Sequence, residues 1–226
     1  MVARYLLYDK KEALRYFRAK SDDKQAENAC DLAYLKLRNE IMPRFTAARL
    51  GCQVVAGVKK NKGKVILENG MEFSSTNLAE HLAGCTEVLL FGATLGSRFD
   101  TAQRRLSLES LTQGAAAQAV GAALIEHYCD TVEEELKKDI SGCSFRWRFS
   151  PGYGDWNLQE QKIVFAILNC QKIGLTLTAS GMMAPIKSVT AIIGIDHRQG
   201  ICRPENNIKK KCGDCAAQEC PFRQEV

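Results

Sequence analysis

Residues 87–96 read Glu-Val-Leu-Leu-Phe-Gly-Ala-Thr-Leu-Gly and give the clearest indication of the architecture. Val88 to Phe91 is an uninterrupted apolar run, which is typical of a strand that is covered on both faces. Gly92 and Gly96 permit a tight passage of the backbone into the segment that follows. We therefore predict a buried central strand that leads directly into a helix.

Segments with helical periodicity lie on both sides of this strand. Pro43 should kink or end the second of them. Two shorter helices are predicted from cap signals, because Asn77 can cap a helix through Leu82 and the Asn157-to-Glu160 spacing is that of a capping box that opens a helix to Cys170. The longer predicted helices are Lys11–Lys20, Asp23–Arg49 and Arg98–Asp139.

Short β-rich runs complete the pattern. Asn61-Lys-Gly63 and Asn69-Gly70 are turn signals between three of them. The runs are Gln53–Val58, Lys64–Leu67, Met71–Phe73, Ser144–Phe149, Leu175–Thr178 and Ser188–Ile195. Mixed strands and helices of this kind predict an α+β fold with a mixed, largely antiparallel twisted sheet and flanking helices. We divide the chain into an N-terminal helical and β-meander lobe (1–85), a core (86–200) and a cysteine-rich tail (201–226).

Composition excludes several classes of protein. The 226-residue chain has a net charge of +5 with acids and bases interspersed, so no nucleic-acid-binding stripe is expected. No apolar run is long enough to span a bilayer, and the N-terminus lacks the apolar core of a signal peptide, which predicts a cytoplasmic protein. No Ser-His-Asp order, phosphate loop or histidine-rich metal pattern supports a hydrolase or nucleotidase.

The segment Arg148-Phe-Ser-Pro-Gly-Tyr-Gly-Asp-Trp156 carries the strongest functional signal. Its Pro-Gly turn would let backbone groups approach a ligand closely, while a guanidinium and an aromatic ring hold it. An ordinary surface turn is the alternative interpretation of this segment.

Four blocks in this order resemble the activation domain of cobalamin-dependent methionine synthase, over roughly residues 75 to 196. They are Thr94-Leu-Gly96, the helix that ends in 126–135, the Arg-x-x-x-Gly-Tyr loop at 148–153, and Leu177-Thr-x-Ser180 followed by Met183-x-Pro-x-x-Ser-Val189. The resemblance implies the same fold, in a free-standing form. It also implies that S-adenosylmethionine binds here and that the domain docks on cobalamin held by a partner, a methionine synthase or another corrinoid protein. The implied function is reactivation by one-electron reduction and methyl transfer.

The resemblance assigns ligand-binding roles by position. Arg148 would bind the amino-acid carboxylate or shape the pocket, the peptides at Pro151 and Gly152 would line it, and Tyr153 would form an aromatic wall. Glu126 and Asp130, one helical turn apart, could offset the positive charge of the sulfonium, or they could belong to a solvated acidic face.

Two further residues, Asp155 and Met183, are also candidates for the ligand or corrinoid surface. Packing in the core is the alternative interpretation of Met183. The sequence departs from the large synthases after Tyr153, where it continues Gly-Asp155-Trp, and beyond Ile195, where it reads Asp-His197-Arg and has no tyrosine. A changed ligand, or a pocket that a partner completes, is expected first at these departures.

The C-terminal tail predicts a metal site. Cys202, Cys212, Cys215 and Cys220 include one Cys-x-x-Cys pair, and Pro221 follows the last cysteine. This pattern favours an iron-sulfur cluster slightly over zinc, and a metal-free tail is the alternative. A cluster here would relay or receive the activating electron from a donor. Metal analysis of anaerobically purified protein would decide among these three.

Two other functions remain open from the sequence. The protein could be a non-catalytic docking or activator module for a corrinoid methyltransferase, or a redox sensor whose tail loses its metal on oxidation.

Overall fold

The computed structural model describes residues 8–57 and 61–198. Its helices are α1 (Lys10–Phe17), α2 (Lys24–Leu37), α3 (Thr76–His81), α4 (Ser97–Glu109), α5 (Leu111–Lys137) and α6 (Gln161–Leu168). Its strands are β1 (Arg44–Val55), β2 (Lys64–Leu67), β3 (Glu72–Ser74), β4 (Glu87–Thr94), β5 (Ser144–Phe145), β6 (Thr176–Leu177), β7 (Met183–Ala184) and β8 (Ser188–Asp196).

Six of these strands form one sheet in the order β3-β2-β1-β4-β8-β5. Every neighbouring pair in it is antiparallel. Strand β4 lies in the middle, paired with β1 on one side and with β8 along its full length on the other. The predicted α+β class and the central strand at 87–91 are therefore confirmed.

The sheet separates two hydrophobic cores. Leu89 and Phe91 of β4 point into the core beneath α1, α2, α4 and α5. Val88 and Leu90 alternate to the opposite face, where α3, α6 and the Trp156 side chain pack. Because β4 buries both faces, its sequence is a continuous apolar run rather than an alternating one.

Helix α5 spans 27 residues and forms the centre of the first helical layer. Small buried residues such as Ala116, Ala117 and Gly121 bring its backbone close to its neighbours. A Cβ on Gly121 would lie 2.7 Å from the Phe99 ring of α4. Despite this length, neither α5 nor any other helix in the described segments has an apolar run able to traverse a bilayer.

The predicted helix over Asp23–Arg49 is wrong in its last part. Helix α2 ends at Leu37, a 3-10 turn covers Arg38–Glu40, and β1 begins at Arg44. Residues 44–51 pair one-to-one with β4. Backbone pairing with a buried central strand outweighs the local helix preference of this segment, because strand formation depends on its neighbours.

Two predicted helix starts also differ. Ser75, not Asn77, caps α3: its hydroxyl accepts a hydrogen bond from the Leu78 amide. Asn157 caps a 3-10 turn over Leu158–Glu160, and α6 follows from Gln161. The predicted long helix at 98–139 is divided at Ser110 into α4 and α5.

The N-terminal segment contributes directly to the central sheet. Strand β1, from the predicted first lobe, is hydrogen-bonded to β4, from the predicted core. The predicted domain boundary near residue 85 thus separates β1 from β4, two strands that are neighbours in one sheet. The predicted tail at 201–226 lies outside the described residues.

Candidate ligand site around Arg148

Arg148 lies where the chain crosses the edge of the sheet. The amide of Phe149 donates to the carbonyl of Ile192 in β8, and the reverse bond is also formed, at 2.9 and 2.8 Å. Adjacent residues of an extended chain point to opposite faces. Phe149 therefore enters the core beside Trp156, while the Arg148 side chain reaches α5 on the other face.

Three carboxylates of α5 surround this guanidinium, which is 7% exposed. Its Nη2 lies 2.7 Å from Asp130 Oδ1 and 3.1 Å from Glu126 Oε2, and its Nη1 lies 3.5 Å from Glu133 Oε2. The acids recur every three or four residues and so share one face of the helix. The structure brings the predicted Arg148, Glu126 and Asp130 together and adds Glu133 to them. We call these four residues the Arg148 cluster.

The Arg148 cluster has a surplus of negative charge: Arg148 faces three acids, of which only Glu133 has a second cation, Lys137, as a partner. Burial disfavours the charged guanidinium, but Asp130 and the neighbouring acids outweigh burial and raise the pKa of Arg148. Helix α1 adds Tyr16 to the surroundings: burial, with Glu126 nearby, raises the pKa of its phenol to about 12. The side chains of Glu126 and Asp130 are 45% and 38% exposed. A cationic ligand group could therefore reach two of the three acids.

The turn that follows presents backbone and an aromatic ring to solvent. Pro151 is buried, whereas Gly152 is exposed with φ of +94°, a conformation that favours glycine. The Gly152 amide donates to the Trp156 carbonyl at 2.8 Å and closes the turn. Tyr153 is 55% exposed, and its ring meets Phe149 edge-on at 6.0 Å.

Asp155 connects this turn to the start of α3. Its carboxylate accepts hydrogen bonds from the Ser75 hydroxyl and, at 3.0 Å each, from the amides of Thr76 and Asn77. Asn77 Oδ1 in turn accepts from the Asp155 amide at 3.0 Å. Burial alone would raise the pKa of Asp155, but these hydrogen bonds lower it below its usual value. The carboxylate is occupied by protein donors at a helix N-terminus, at the place where the sequence first departs from the synthase pattern.

We expect Asp155→Ala to destabilise the protein by about 1–2 kcal/mol, the usual cost of losing such a helix cap. Because the folded-state pKa of this carboxyl is lowered, its contribution is present near neutral pH and is lost as the pH falls below about 4. Urea unfolding at neutral and acid pH would measure both effects. Asp155→Asn, which keeps one acceptor oxygen, should lose less and show a weaker pH dependence. Equal stability of wild type and Asp155→Ala at neutral pH would contradict this role.

Trp156 and Glu160 fix the other side of the turn. Trp156 is 1% exposed, contacts the Phe73 ring edge-on at 5.1 Å, and donates from Nε1 to Glu160 Oε2 at 2.9 Å. The same carboxylate accepts from the Ser74 amide of β3 at 3.1 Å. Glu160 therefore links the turn to the sheet instead of completing the predicted capping box.

Met183 lies apart from the Arg148 cluster, in the β6–β7 hairpin, where it pairs with Leu177 and is partly buried. The hairpin approaches the α6 start, because Gln159 Nε2 donates to the Ser180 carbonyl at 3.1 Å. A cis peptide joins Ala184 to Pro185 immediately after it.

The block from Met183 to Val189 meets the Thr94 turn of β4. Ser188 Oγ lies 2.8 Å from Thr94 Oγ1 and 2.7 Å from the Pro185 carbonyl. Two of the sequence blocks that carry the resemblance are thus in direct contact at one end of the sheet.

After Ile195, where the sequence departs a second time from the synthase pattern, the side chains form ion pairs. Asp196 is fully buried and pairs with Arg198 at 2.8 Å and with Arg146 at 3.4 Å. The Nε2 of His197 contacts Glu87, which also binds Arg49. His197 therefore closes a surface ion-pair group at the other end of β4.

Comparison with solved structures identifies the architecture. A crystal structure of the MetH reactivation domain bound to AdoHcy superposes with a TM-score of 0.56, covering 80% of this chain and 68% of that chain at 14% sequence identity. The chain has the fold of the MetH reactivation domain. A scan against protein-family models and a search of curated proteins found no match.

Three titratable side chains with shifted pKa values were not among the predicted site residues. Tyr16 could not be found, because only the packing of α1 on α5 brings it to Glu126. His81 stacks on Trp147, and its Nε2 contacts the Trp147 carbonyl at 2.8 Å; burial lowers its pKa. Lys187 is buried with Nζ donating to the Gln118 carbonyl at 3.0 Å, and burial lowers its pKa to about 8.

The predicted metal site cannot be placed. Its residues Cys202, Cys212, Cys215 and Cys220 lie outside the described segments. Within residues 8–57 and 61–198, no three His, Cys, Asp or Glu side chains are arranged to hold a metal ion. The tail metal stays a prediction.

Proposed function

We propose that this protein binds S-adenosylmethionine beside the Arg148 cluster and transfers the methyl group of this ligand to a corrinoid bound by a partner protein. The observation that carries the proposal is the surplus of negative charge around Arg148, where the side chains of Glu126 and Asp130 are partly exposed. An open glycine turn with an exposed tyrosine follows Arg148 in the chain. This arrangement lies on the fold of a domain that was crystallised with AdoHcy, the demethylated form of the same ligand.

Each part of the site fits one part of that ligand. Carboxylates attract the sulfonium and the ammonium, the only positive groups of S-adenosylmethionine. The exposed ring of Tyr153 offers a face to a cation or to the adenine. Gly152 leaves its peptide open to close approach. Arg148 would act mainly by holding the turn against α5, since all three acids already engage its guanidinium.

The chemistry asks the protein to position its reactants. An external donor supplies one electron that converts cob(II)alamin to cob(I)alamin. The electron pair of cobalt then forms the cobalt–carbon bond as the sulfonium–methyl bond breaks, and the pair of the broken bond stays on sulfur to give S-adenosylhomocysteine. No proton moves, so no side chain needs to act as acid or base, and orientation is what the site contributes. The tail cysteines, as an electron relay, are part of this proposal.

Calorimetric titration with S-adenosylmethionine tests ligand binding directly. We expect the wild type to bind and Tyr153→Ala to bind about tenfold more weakly, the magnitude of one cation–aromatic contact. Because Tyr153 is largely exposed, its loss should leave the fold intact. Phe45→Ala is the matched control, since this aromatic side chain is 42% exposed on β1 and should not change the affinity. Absence of binding heat from folded wild-type protein would overturn the proposal.

A docking module that does not use the ligand is the second candidate. It is favoured by one observation: the carboxylate of Asp155 is already occupied by protein donors. Binding of a purified corrinoid-binding protein by a chain that gives no heat with S-adenosylmethionine would support this candidate instead of the first.

A further inference from the structure

The outer face of α4 combines positive charge with exposed leucines. Arg98, Arg105 and Leu108 follow one another at helical spacing, and Arg104 and Leu111 extend the same region. On the opposite side of α4, Phe99 and Leu106 are buried in the core. We call Arg98, Arg104, Arg105, Leu108 and Leu111 the α4 basic surface.

The two leucines of this surface are unusually open. Leu108 is 84% exposed and Leu111 is 90% exposed, at the turn that joins α4 to α5. The ion pair Lys36–Glu109, at 2.7 Å, holds α2 beside this turn, and Leu35 of α2 is itself 53% exposed. Leu35 and Leu108 each precede one partner of this ion pair, so exposed leucines of three helices, α2, α4 and α5, occur near it. A group of this kind indicates an interaction site more than scattered surface leucines do.

The charges favour an anionic partner. Arg98 pairs with Glu40 at 2.8 Å, and Lys36 pairs with Glu109, so these charges cancel. Arg104 and Arg105 form no ion pair with other residues of the described segments and leave a surplus of positive charge. A groove of ≈ 280 Å³ runs between Glu40, Arg98 and Arg105 and lies open to solvent.

We propose that the α4 basic surface docks a protein partner that presents carboxylates around an apolar patch. Arginine is enriched at protein interfaces, and the buried centre of an interface is more apolar than the rest of the surface. A small ligand is disfavoured because the side chains around the groove are exposed. A symmetric contact between two copies is disfavoured because it would set these arginines against each other. Nucleic acid would gain nothing from the two leucines.

This surface is separate from the candidate ligand site. Leu111 begins α5, whereas Asp130 of the Arg148 cluster lies about five helical turns further along the same helix, at 3.6 residues per turn. The inference therefore does not depend on the proposed function. Variants of the surface should bind S-adenosylmethionine as the wild type does.

The test uses the full chain and a fluorescein-labelled synthetic helix in which glutamates flank a stripe of leucines. We expect saturable binding by fluorescence anisotropy, with an affinity that falls as salt rises. Arg105→Glu should weaken binding about tenfold or more through like-charge repulsion. Leu108→Ser should weaken it at low and at high salt alike. Both residues are exposed, so circular dichroism should show an unchanged fold.

Matched controls separate this surface from general charge effects. Lys172→Glu makes the same charge change on an exposed lysine elsewhere, and Met71→Ser removes an exposed apolar side chain outside this surface. Both should bind the peptide as the wild type does. The proposal is overturned by three results: no binding of the peptide, equal losses in the control variants, or tighter binding of duplex DNA that depends on Arg105 and not on Leu108.

Discussion

Replacement of Trp156 by alanine is expected to lower the free energy of unfolding by about 3–5 kcal/mol, the usual range for loss of a buried aromatic residue. The indole is 1% exposed and fills the core between Phe73 and Phe149. Its removal would also leave Glu160 Oε2 without its indole donor. Because the Gly152 amide binds the Trp156 carbonyl, the turn that presents Tyr153 should loosen together with the core.

Urea unfolding followed by circular dichroism would measure this loss. Trp156→Phe is the matched variant: it keeps most of the apolar volume but removes the Nε1 donor, and we expect it to lose less than half as much. Tyr153→Ala, on an exposed side chain of the same turn, should change stability by under about 0.5 kcal/mol. A Trp156→Ala protein as stable as Tyr153→Ala would contradict the central position of the indole in the second core.

Replacement of Arg148 by alanine is the second large effect that we expect, a loss of about 3 kcal/mol. Without the guanidinium, the carboxylates of Glu126 and Asp130 would lose the cation that they share, and Glu133 would keep only its ion pair with Lys137. The value is placed at the lower end of the range for a broken buried ion pair, because Glu126 and Asp130 are partly exposed and water screens their repulsion.

Three further measurements identify the cause of that loss. Concentrated salt should reduce the destabilisation of Arg148→Ala, because salt screens the repulsion among the acids. Arg148→Lys should keep much of the stability, since it retains the charge without the planar donors. In a double-mutant cycle with Asp130→Asn, the two losses should be clearly non-additive. A loss insensitive to salt and additive with Asp130→Asn would show that packing, not charge, holds Arg148 in place.

The central part of the fold could be predicted from the sequence because its signals are local. Val88 to Phe91 is apolar on both alternating faces, and such a run has few other stable positions in a domain. The turn at Asn69-Gly70 likewise needs only its own residues, and Gly70 has φ of +81°. The helical character of residues 98–139 followed from periodicity, whereas the break at Ser110 did not.

The errors lie where partners distant in sequence decide the conformation. By local preference, a helix could include Ala47, Ala48 and Leu50. They belong to β1 instead, because this segment pairs with β4. Ser75 replaces Asn77 as the cap of α3 because Asp155, 80 residues away, accepts the Ser75 hydroxyl. No window of local sequence contains both partners of such a contact.

The candidate site shows the same division. The Pro-Gly turn and the shared face of Glu126 and Asp130 were evident from spacing. The role of Asp155 was not: a carboxylate beside a glycine turn suggests a ligand contact, and only the position of α3 shows that helix amides occupy it. The contact of Glu133 with Arg148 could not be predicted either, because it depends on Arg148 reaching a second turn of α5.

Helix α5 carries the candidate ligand site towards one end and a leucine of the α4 basic surface at the other. At 1.5 Å per residue, Leu111 and Asp130 are roughly 30 Å apart. That separation exceeds the footprint of a small molecule, so both sites could be filled at the same time. The protein, S-adenosylmethionine and the protein partner should therefore form a ternary complex without competition. Because α5 has no internal break, it would set the distance between the methyl donor and the partner bound at the α4 basic surface.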